Sequence, residues 1–408
     1  MNTFSTRFAR APLGLAFFGF ILIGLSGGAN GVIIPSLSAF YHVVDAVICF
    51  LFLLSSLGYF LSALGSGLLT ERLGLRWLLG LGAGILLLGM LGFAAQLPFA
   101  LLLIARLCLG FGVGIIETGF NIHVSAQPRH TVLLNYLHAF YGAGALVGPL
   151  LVTGILALLW GWNITYVLLA ALSLPLLIGI LLLMSAPTLE KAVNKEESPA
   201  KGNLLGATLA LPIVWIAGIF LLVYVGVESS IGNWAYSFLL EDRAQGTLSA
   251  GWIASGYWIG LTLGRFLIQR QAERMGIGVA ALMYACIVGI VIGSLLIWLV
   301  PFGVAAAFGF CFLGFSLAPI YPLTVAILPR LVPERLAASA IGLLVSVSII
   351  GIALFPWAAG ILAQIIGIWT LLPYILALAL VMLGFWVYLS RPVGASEVRE
   401  THEEQMVS

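Results

Sequence analysis

Residues 130–189 read HTVLLNYLHAFYGAGALVGPLLVTGILALLWGWNITYVLLAALSLPLLIGILLLMSAPTL and contain no Asp, Glu, Lys or Arg. An α-helix needs about 20 apolar residues to cross the hydrocarbon core of a bilayer. This stretch is therefore long enough for two membrane-spanning helices separated by a short turn-like break. A transmembrane β-barrel would show alternating segments of about ten residues, whereas the apolar runs of this chain are continuous.

The composition of the whole chain agrees with this pattern. Of the 408 residues, 62% are hydrophobic and 8% are charged, whereas about a quarter of the residues in a soluble domain are charged. So few charges cannot cover the surface of a soluble protein of this length. This excludes a cytosolic enzyme, a nucleic-acid-binding protein and a disordered chain. The net charge of +2 implies no polyelectrolyte partner.

Cofactor and metal chemistry find no support in the sequence. The cysteines (Cys49, Cys108, Cys286 and Cys311) all fall in apolar runs, without a CxxC pair or a Cys/His cluster. This spacing predicts neither a disulfide framework nor a metal site. The sequence also lacks a phosphate-binding loop, an HExxH motif and a Ser/His/Asp set, which are the usual signatures of enzymes. We therefore predict no cofactor, no metal and no enzymatic activity.

The charge-free runs predict an all-α polytopic membrane protein with twelve spanning helices. Their predicted ranges are 13–35, 47–69, 77–96, 99–124, 136–159, 164–186, 209–238, 250–270, 277–299, 303–328, 337–364 and 369–390. The longest connection, 187–206, is polar and charged, as is typical of a linker. It separates a six-helix bundle at 1–186 from a second one at 207–390, and a polar tail follows at 391–408.

The basic residues predict the orientation. With the N-terminus in the cytoplasm, fifteen of the seventeen Lys and Arg lie on the cytoplasmic side, Arg243 lies outside and Arg106 lies within a span. This arrangement follows the positive-inside rule and places both termini in the cytoplasm. The compact chain and its short loops favour a bacterial inner membrane, and a eukaryotic plasma membrane fits the same pattern.

Short matches relate the two halves of the chain. Residues 109–111 (LGF) recur at 313–315, and residues 71–74 (ERLG) are echoed by ERMG at 273–276, at offsets of 204 and 202. Two six-helix halves related by duplication are typical of transporters whose binding site lies between the repeats.

Span four carries a carboxyl group deep in the predicted membrane. Glu117 lies within residues 112–121 (GVGIIETGFN), and a charge at this depth costs about 2.5–3.5 kcal/mol on insertion scales. Such an acid either pairs with another group or takes up a proton, and both states suit proton coupling. Arg106 lies about 16 Å away along the helix axis, too far to pair with Glu117 directly. A purely structural polar bond to another helix is the alternative.

Span seven contains a second acid, Glu228, among small residues. It is followed by Asn233 and Trp234, which offer an amide beside an aromatic face. Sugar sites commonly combine these two groups. For Trp234, a place in the interfacial aromatic belt is an equally open alternative.

Other spans supply further candidates for solute binding. His138 in span five could titrate near neutrality or act as a packing residue. Tyr321 is the counterpart of Glu117 under the offset of 204, so we expect it to face the same cavity. The remaining candidates are Asn30 in span one and Trp252, Tyr257 and Trp258 in span eight.

The connection between spans two and three, residues 67–76 (GLLTERLGLR), resembles the loop motif of the major facilitator superfamily, Gly-x-Leu-x-Asp-x-x-Gly-x-Arg. Glu71 stands where Asp is usual. Arg106-x-x-x-Gly110-x-Gly112 in span four is similar to the family as well. The resemblance implies two helical bundles that rock about a central cavity.

An acid and a base in such a cytoplasmic turn can pair with a helix end of the neighbouring bundle and thereby gate the transporter. Plain topology signalling is the alternative. The candidate gating residues are Glu71, Arg72, Arg76, Arg106, Glu273 and Arg274.

Stretches of spans four, five, seven and eight resemble the fucose–galactose–glucose:proton symporter branch of that superfamily. They lie within 117–121, 135–149, 225–228 and 251–265. The resemblance implies that Glu117 is the proton and sugar site and that Asn121 lies near the substrate. Fucose permease has an aspartate in span one, where this chain offers only Asn30. Either Glu228 supplies the second acid or the protein is a facilitator.

The main hypothesis is therefore a monomeric secondary transporter that carries a neutral sugar or a similar polar solute together with protons. Proton-antiport efflux of a lipophilic compound is a second hypothesis, because Gly144-x-x-x-Gly148-Pro149 resembles an antiporter motif. A transporter-like receptor without flux is a third. The expected partners are a small solute, protons and the lipid bilayer, and not nucleic acid.

Overall fold

A computed structural model describes residues 3–127, 130–184 and 204–407, and over these residues the chain is helical without strands. The chain divides into two compact units, Met1–Ser198 and Pro199–Ser408. The predicted linker at 187–206 lies almost entirely outside the described residues.

The first unit contains six long helices. They are α1 (Thr3–Tyr41), α2 (Asp45–Leu73), α3 (Leu75–Ala94), α4 (Phe99–Ser125), α5 (His130–Ala157) and α6 (Asn163–Leu183). Helix α1 packs along α5, α2 packs along α4, and α3 contacts both α4 and α6. The chain turns sharply from α2 into α3 at Gly74, whose φ of 75° is a conformation that glycine adopts without steric cost.

The second unit repeats this packing. Its helices are α7 (Leu204–Leu209), α8 (Pro212–Glu241), α9 (Thr247–Arg274), α10 (Val279–Leu299), α11 (Gly303–Leu317), α12 (Ile320–Leu331), α13 (Ala337–Ile365) and α14 (Leu371–Val407). Helix α8 packs along α13, α9 packs along α11, and α10 contacts both α11 and α14.

The closest helix crossings occur at equivalent positions of the two units. A Cβ atom on Gly110 would collide with the backbone carbonyl of Ser55, and one on Gly314 would collide with the carbonyl of Tyr257. These pairs differ by the same offsets of 204 and 202 residues that relate the sequence matches. In both units a glycine therefore lets α4 or α11 approach its partner helix at backbone distance.

Ten helical stretches have the length and hydropathy needed to cross a membrane, and α11 and α12 together count as one of them. Helices α2 and α9, with 29 and 28 residues, are also long enough to span a bilayer. Large apolar side chains point outward, among them Leu182 (73% exposed) and Phe308 (70% exposed). Such a surface suits hydrocarbon as its solvent, since large exposed apolar patches are rare on soluble proteins. The all-α, polytopic fold class is confirmed.

Three helix boundaries differ from the prediction. Span seven begins at Pro212, after the separate short helix α7. Span ten is broken, because Pro319 has no backbone N–H to continue the helix, so α11 ends at Leu317 and α12 begins at Ile320. The tail predicted from residue 391 continues α14 as far as Val407, and its four Glu and two Arg residues favour helix.

Candidate functional site

Glu117 is half-buried on α4 and is held by a neutral partner from α2. The Tyr59 hydroxyl donates a hydrogen bond to its carboxyl group. Gly114, nearly one turn earlier on α4, lies against the same part of α2, where an added Cβ atom would collide with the hydroxyl oxygen of Ser62. A Cβ atom at that position would lie 3.0 Å from the Tyr59 carbonyl oxygen and 3.2 Å from its ring. Gly114 therefore leaves the space in which the Tyr59 ring lies against α4 and reaches the acid.

Glu117 has no cationic partner among the side chains that the structure describes. The ion pairs there join Arg243 to Asp242 and Arg265 to Glu228. One turn after Glu117, the Oδ1 atom of Asn121 is buried without a hydrogen-bond partner in the described part of the chain. Among the described residues, a carboxyl group without a cationic partner and an amide oxygen without a hydrogen-bond partner thus lie on neighbouring turns of one helix.

Arg106 does not pair with Glu117, in agreement with their separation along α4. Its Nη1 atom donates to Asn30 Oδ1 on α1 at 3.1 Å, and it shares a side-chain hydrogen bond with Tyr166 on α6. The guanidinium lies 5.7 Å from the centre of the Phe52 ring on α2. Sequence analysis predicted a gating role for Arg106 and a solute-binding role for Asn30. The structure joins the two residues and ties four helices of the first unit through Arg106.

In the second unit, Glu228 of α8 is the centre of a charged cluster. Its Oε1 atom lies 3.7 Å from a terminal nitrogen of Arg265 on α9, and the Tyr224 hydroxyl donates to its Oε2 atom. The Tyr257 hydroxyl donates to the backbone carbonyl of Glu228 at 3.1 Å. Tyr321, near the start of α12 after the break that follows α11, has its ring 6.3 Å from that of Tyr224. The cluster therefore joins α8, α9 and α12.

Three residues of these sites were not predicted from the sequence. They are Arg265 and Tyr224 in the Glu228 cluster and Tyr59 beside Glu117. Arg265 was counted only among the charges on the cytoplasmic side, but its side chain pairs with Glu228 of α8. Tyr224 lies four residues before Glu228, so it shares the same helix face, a signal that the sequence already contained. The partnership of Tyr59 with Glu117 had no such local signal, because it is a contact between two helices.

The aromatic candidates of spans seven and eight differ in their exposure and in their contacts. Trp234 is 0% exposed, and its indole N–H donates to the Pro356 carbonyl at 2.9 Å. It therefore packs between α8 and α13, and we leave it out of the proposed site. Trp252 is 63% exposed, whereas Trp258 lies against α8, where a Cβ atom on Gly232 would be 3.0 Å from its ring.

Asn233 and His138, two polar candidates for solute binding, each have a partner in the structure. The Asn233 amide donates to the Ser229 carbonyl of its own helix at 2.8 Å. His138 is exposed on α5, and its ring meets the edge of Phe20 with the ring centres 5.5 Å apart. Neither of these two contacts involves Glu117 or the carboxyl group of Glu228.

The gating candidates are only partly placed by the structure. Arg76 donates to the carbonyl of Leu181, in the last turn of α6. This is a helix end, as expected, but it belongs to the same unit as Arg76 and not to the neighbouring bundle. Arg72 and Arg274 are exposed. The side chains of Glu71 and Glu273 lie outside the described residues.

Arg243 is the one basic residue predicted on the outer side of the membrane, and its contacts explain how its charge is accommodated there. It lies 3.2 Å from Asp242 and donates to the carbonyls of Ile297 and Trp298 at 2.7 and 2.9 Å. These carbonyls belong to the last turn of α10, where the helix dipole favours a cation. Its charge is thus neutralised locally, which explains why it can depart from the positive-inside pattern.

A helical fold with many apolar spans and ionisable groups inside them defines a polytopic integral membrane protein. The chain belongs to the Major Facilitator Superfamily, whose family model matches residues 16–246 and 229–406. It is therefore an integral membrane transporter and not an enzyme. Within the described residues, no group of three or more His, Cys, Asp or Glu is placed to hold a metal ion.

Two curated relatives resemble the chain over most of its length. Bypass of stop codon protein 6 of Saccharomyces cerevisiae is 26% identical over 387 residues, which cover 86% of this chain and 76% of the yeast protein. An uncharacterized MFS-type transporter of Yersinia pestis is 27% identical over 362 residues, covering 86% and 88% of the two chains.

Solved structures share the fold at lower identity. The bacterial homolog of the human lysosomal transporter Spinster superposes with a TM-score of 0.77 at 15% identity and covers 97% of this chain and 99% of its own. The D-xylose–proton symporter gives 0.75 at 16% identity, covering 93% and 98%. The nucleoside transporter NupG gives 0.74 at 17% identity, covering 95% and 98%.

Proposed function

We propose that this transporter carries a neutral sugar or a similar polyhydroxylated solute together with protons, as the fucose permease-like branch of the superfamily does. The observation that carries the proposal is the environment of Glu117. This carboxyl group lies inside a spanning helix, and its described partner is the neutral hydroxyl of Tyr59.

A carboxylate within a membrane span costs free energy unless a cation compensates it. Protonation removes the charge, while the hydrogen bond from Tyr59 stabilises the ionised form. Burial therefore favours the protonated form of Glu117 and the hydrogen bond favours the ionised form, so that each state has a stabilising contribution, as a proton carrier requires. Glu228 differs, because Arg265 lies 3.7 Å from it and Tyr224 donates to it. We accordingly assign the coupled proton to Glu117 and regard Glu228 as the acid of a compensated ion pair.

The groups around Glu117 favour a solute with hydroxyl groups. The unpartnered Oδ1 atom of Asn121 is an acceptor for a hydroxyl donor, and it lies one helical turn from the acid. A solute that donates to Asn121 and contacts Glu117 would bind the two groups together. Two transporters of the same fold are named for D-xylose and for nucleosides, which both carry several hydroxyl groups, and this agrees with the proposal.

The proposed setting follows from the positive-inside pattern. Fifteen of seventeen basic residues fall on one side when both termini are cytoplasmic, which is the orientation expected in a cell membrane. We propose a bacterial inner membrane, with the polar segments 187–206 and 391–408 on the cytoplasmic face. We also propose that the monomer is sufficient for transport.

The test is proton uptake driven by solute. Purified protein is reconstituted into liposomes that contain a pH-sensitive dye, and neutral sugars are added outside one at a time. A substrate is expected to acidify the interior, and Glu117→Gln is expected to abolish the acidification while the protein remains folded. Glu334→Gln, which makes the same change at an exposed residue of the short turn Glu334–Leu336, should behave as the wild type.

Uphill accumulation that survives in Glu117→Gln would overturn the proton assignment. No response to any sugar from folded protein would overturn the sugar assignment and bring forward efflux by proton antiport, which predicts resistance to a toxic compound on expression. Binding without flux in either assay would favour the receptor hypothesis.

A further inference from the structure

A small cavity lies beside Arg106 in the interior of the first unit. Its volume is about 10 Å³, which is about the space of one water molecule or one monatomic ion. Its polar lining residues are Asn30, Arg106 and Tyr166, and the rest of its wall is apolar, including Phe52 and Phe93. The cavity is thus a site of atomic size lined by residues of α1, α2, α3, α4 and α6.

The polar wall of this cavity offers more hydrogen-bond donors than acceptors. A guanidinium has five N–H donors and no acceptor. Asn30 Oδ1 already accepts from Arg106 Nη1 at 3.1 Å, and the Tyr166 oxygen is engaged with the same guanidinium. The Nε atom of Arg106 is buried and has no partner in the described residues. The Nε–H of Arg106 therefore calls for an additional acceptor. The amide N–H groups of Asn30 and the O–H of Tyr166 are further donors in the same wall.

The site also carries an uncompensated charge. Arg106 is 5% exposed and stays protonated in proteins. It takes part in none of the ion pairs found among the described side chains. Asn30 and Tyr166 are neutral, and a buried charge without a counter-charge is strongly disfavoured. An anion would supply both the missing acceptor and the missing charge.

We propose that this cavity binds a monatomic monovalent anion, of which chloride is the physiological example. A single atom fits this cavity better than a polyatomic anion such as sulfate or phosphate, because about 10 Å³ is the space of one water-sized sphere. The site is distinct from the proposed proton site, because Arg106 and Glu117 are about 16 Å apart along α4. The bound anion neutralises Arg106 and holds α1, α4 and α6 together, so the stability of the first unit depends on chloride.

The test compares thermal unfolding of the purified full-length protein in sodium chloride, sodium bromide and sodium gluconate at equal ionic strength, so that screening is constant. When chloride is about tenfold above its dissociation constant, the melting temperature should be about 3–6 °C higher than in gluconate. Bromide should act like chloride and should give an anomalous scattering peak in the cavity of soaked crystals.

The variant that tests the site is Tyr166→Phe, which removes one O–H donor and little volume. It should weaken the halide response, and Arg106→Gln should abolish it. Tyr59→Phe makes the same chemical change on α2 away from the cavity and should keep the response. If Arg106→Gln does not fold, the comparison of Tyr166→Phe with Tyr59→Phe decides the matter.

Equal melting in chloride and gluconate would overturn the proposal and leave the cavity to a water molecule. A halide response that is unchanged in Tyr166→Phe would also overturn it, because the anion would then act elsewhere. Asp45 begins α2 one turn before Ile48, which lines the cavity. A halide response that is absent from the wild type but appears in Asp45→Asn would assign the counter-charge to Asp45 and refute anion binding.

Discussion

Replacing Gly110 by alanine tests the close crossing between α4 and α2. The added Cβ atom would collide with the carbonyl oxygen of Ser55 and would lie 2.6 Å from its carbonyl carbon and 2.8 Å from its Cα. All of these are backbone atoms, so no side chain can rotate to make room, and α2 has to move away from α4. Gly154 on α5 is the matched control, because a Cβ atom there has nothing within 4 Å.

The two substitutions should change stability in opposite directions. In a helix interior, alanine is favoured over glycine by about 1 kcal/mol. At Gly154 this gain is uncompensated, so Gly154→Ala should stabilise the first unit by about 0.5–1 kcal/mol. Overpacking costs about 1–3 kcal/mol and falls at the upper end against rigid backbone. Gly110→Ala should therefore destabilise the unit by about 1–2 kcal/mol after the helix gain is subtracted.

The assay is thermal unfolding of each purified variant in the same detergent. For a unit of this size, Gly110→Ala should lower the melting temperature by about 2–8 °C and Gly154→Ala should raise it by about 1–4 °C. Gly314→Ala, at the equivalent crossing of the second unit, should resemble Gly110→Ala. If Gly110→Ala and Gly154→Ala shift the melting temperature equally, the backbone approach at Ser55 does not exist as described.

Three further substitutions test contacts of the second unit by thermal unfolding. Arg243→Gln should lower the free energy of unfolding by about 2–4 kcal/mol, because two charge-assisted hydrogen bonds to the end of α10 are lost. Asp242→Asn should lower it by less than about 1 kcal/mol, because the Arg243–Asp242 pair is partly solvated. Equal losses for the two variants would contradict this division. Trp234→Phe should lower the free energy of unfolding by about 1–3 kcal/mol, because a hydrogen bond is lost and a cavity is left. The solute concentration for half-maximal transport should stay unchanged. A change in that concentration would return Trp234 to the solute site. Arg265→Gln leaves the Glu228 carboxylate without its cation and should lower the free energy of unfolding by about 1–2 kcal/mol, a loss limited by the 35% exposure of the Arg265 side chain. The double variant with Glu228→Gln should recover part of this loss. Strict additivity of the two substitutions would show that the residues do not interact.

The membrane-spanning character of this protein follows from its sequence alone. Whether a segment can cross a bilayer depends on its own length and apolar content, so the runs around residues 130–189 predict their helices without knowledge of any partner. The same holds for the prediction that Glu117 lies deep in the membrane, which rests on its place within an apolar run. A helix boundary was predicted wrongly at Pro319. A proline interrupts a helix because it has no backbone N–H, but the length of the apolar run favoured one continuous span there.

The partners of the ionisable groups were decided only by the tertiary structure. Arg106 and Asn30 are 76 residues apart in the chain and meet at 3.1 Å, and Trp234 reaches Pro356 over 122 residues. Helical periodicity says which residues of one helix share a face, but not which other helix that face contacts. That choice depends on where small residues such as Gly110 and Gly114 let helices approach at backbone distance, since close packing between spans relies on shape and not on hydrophobicity.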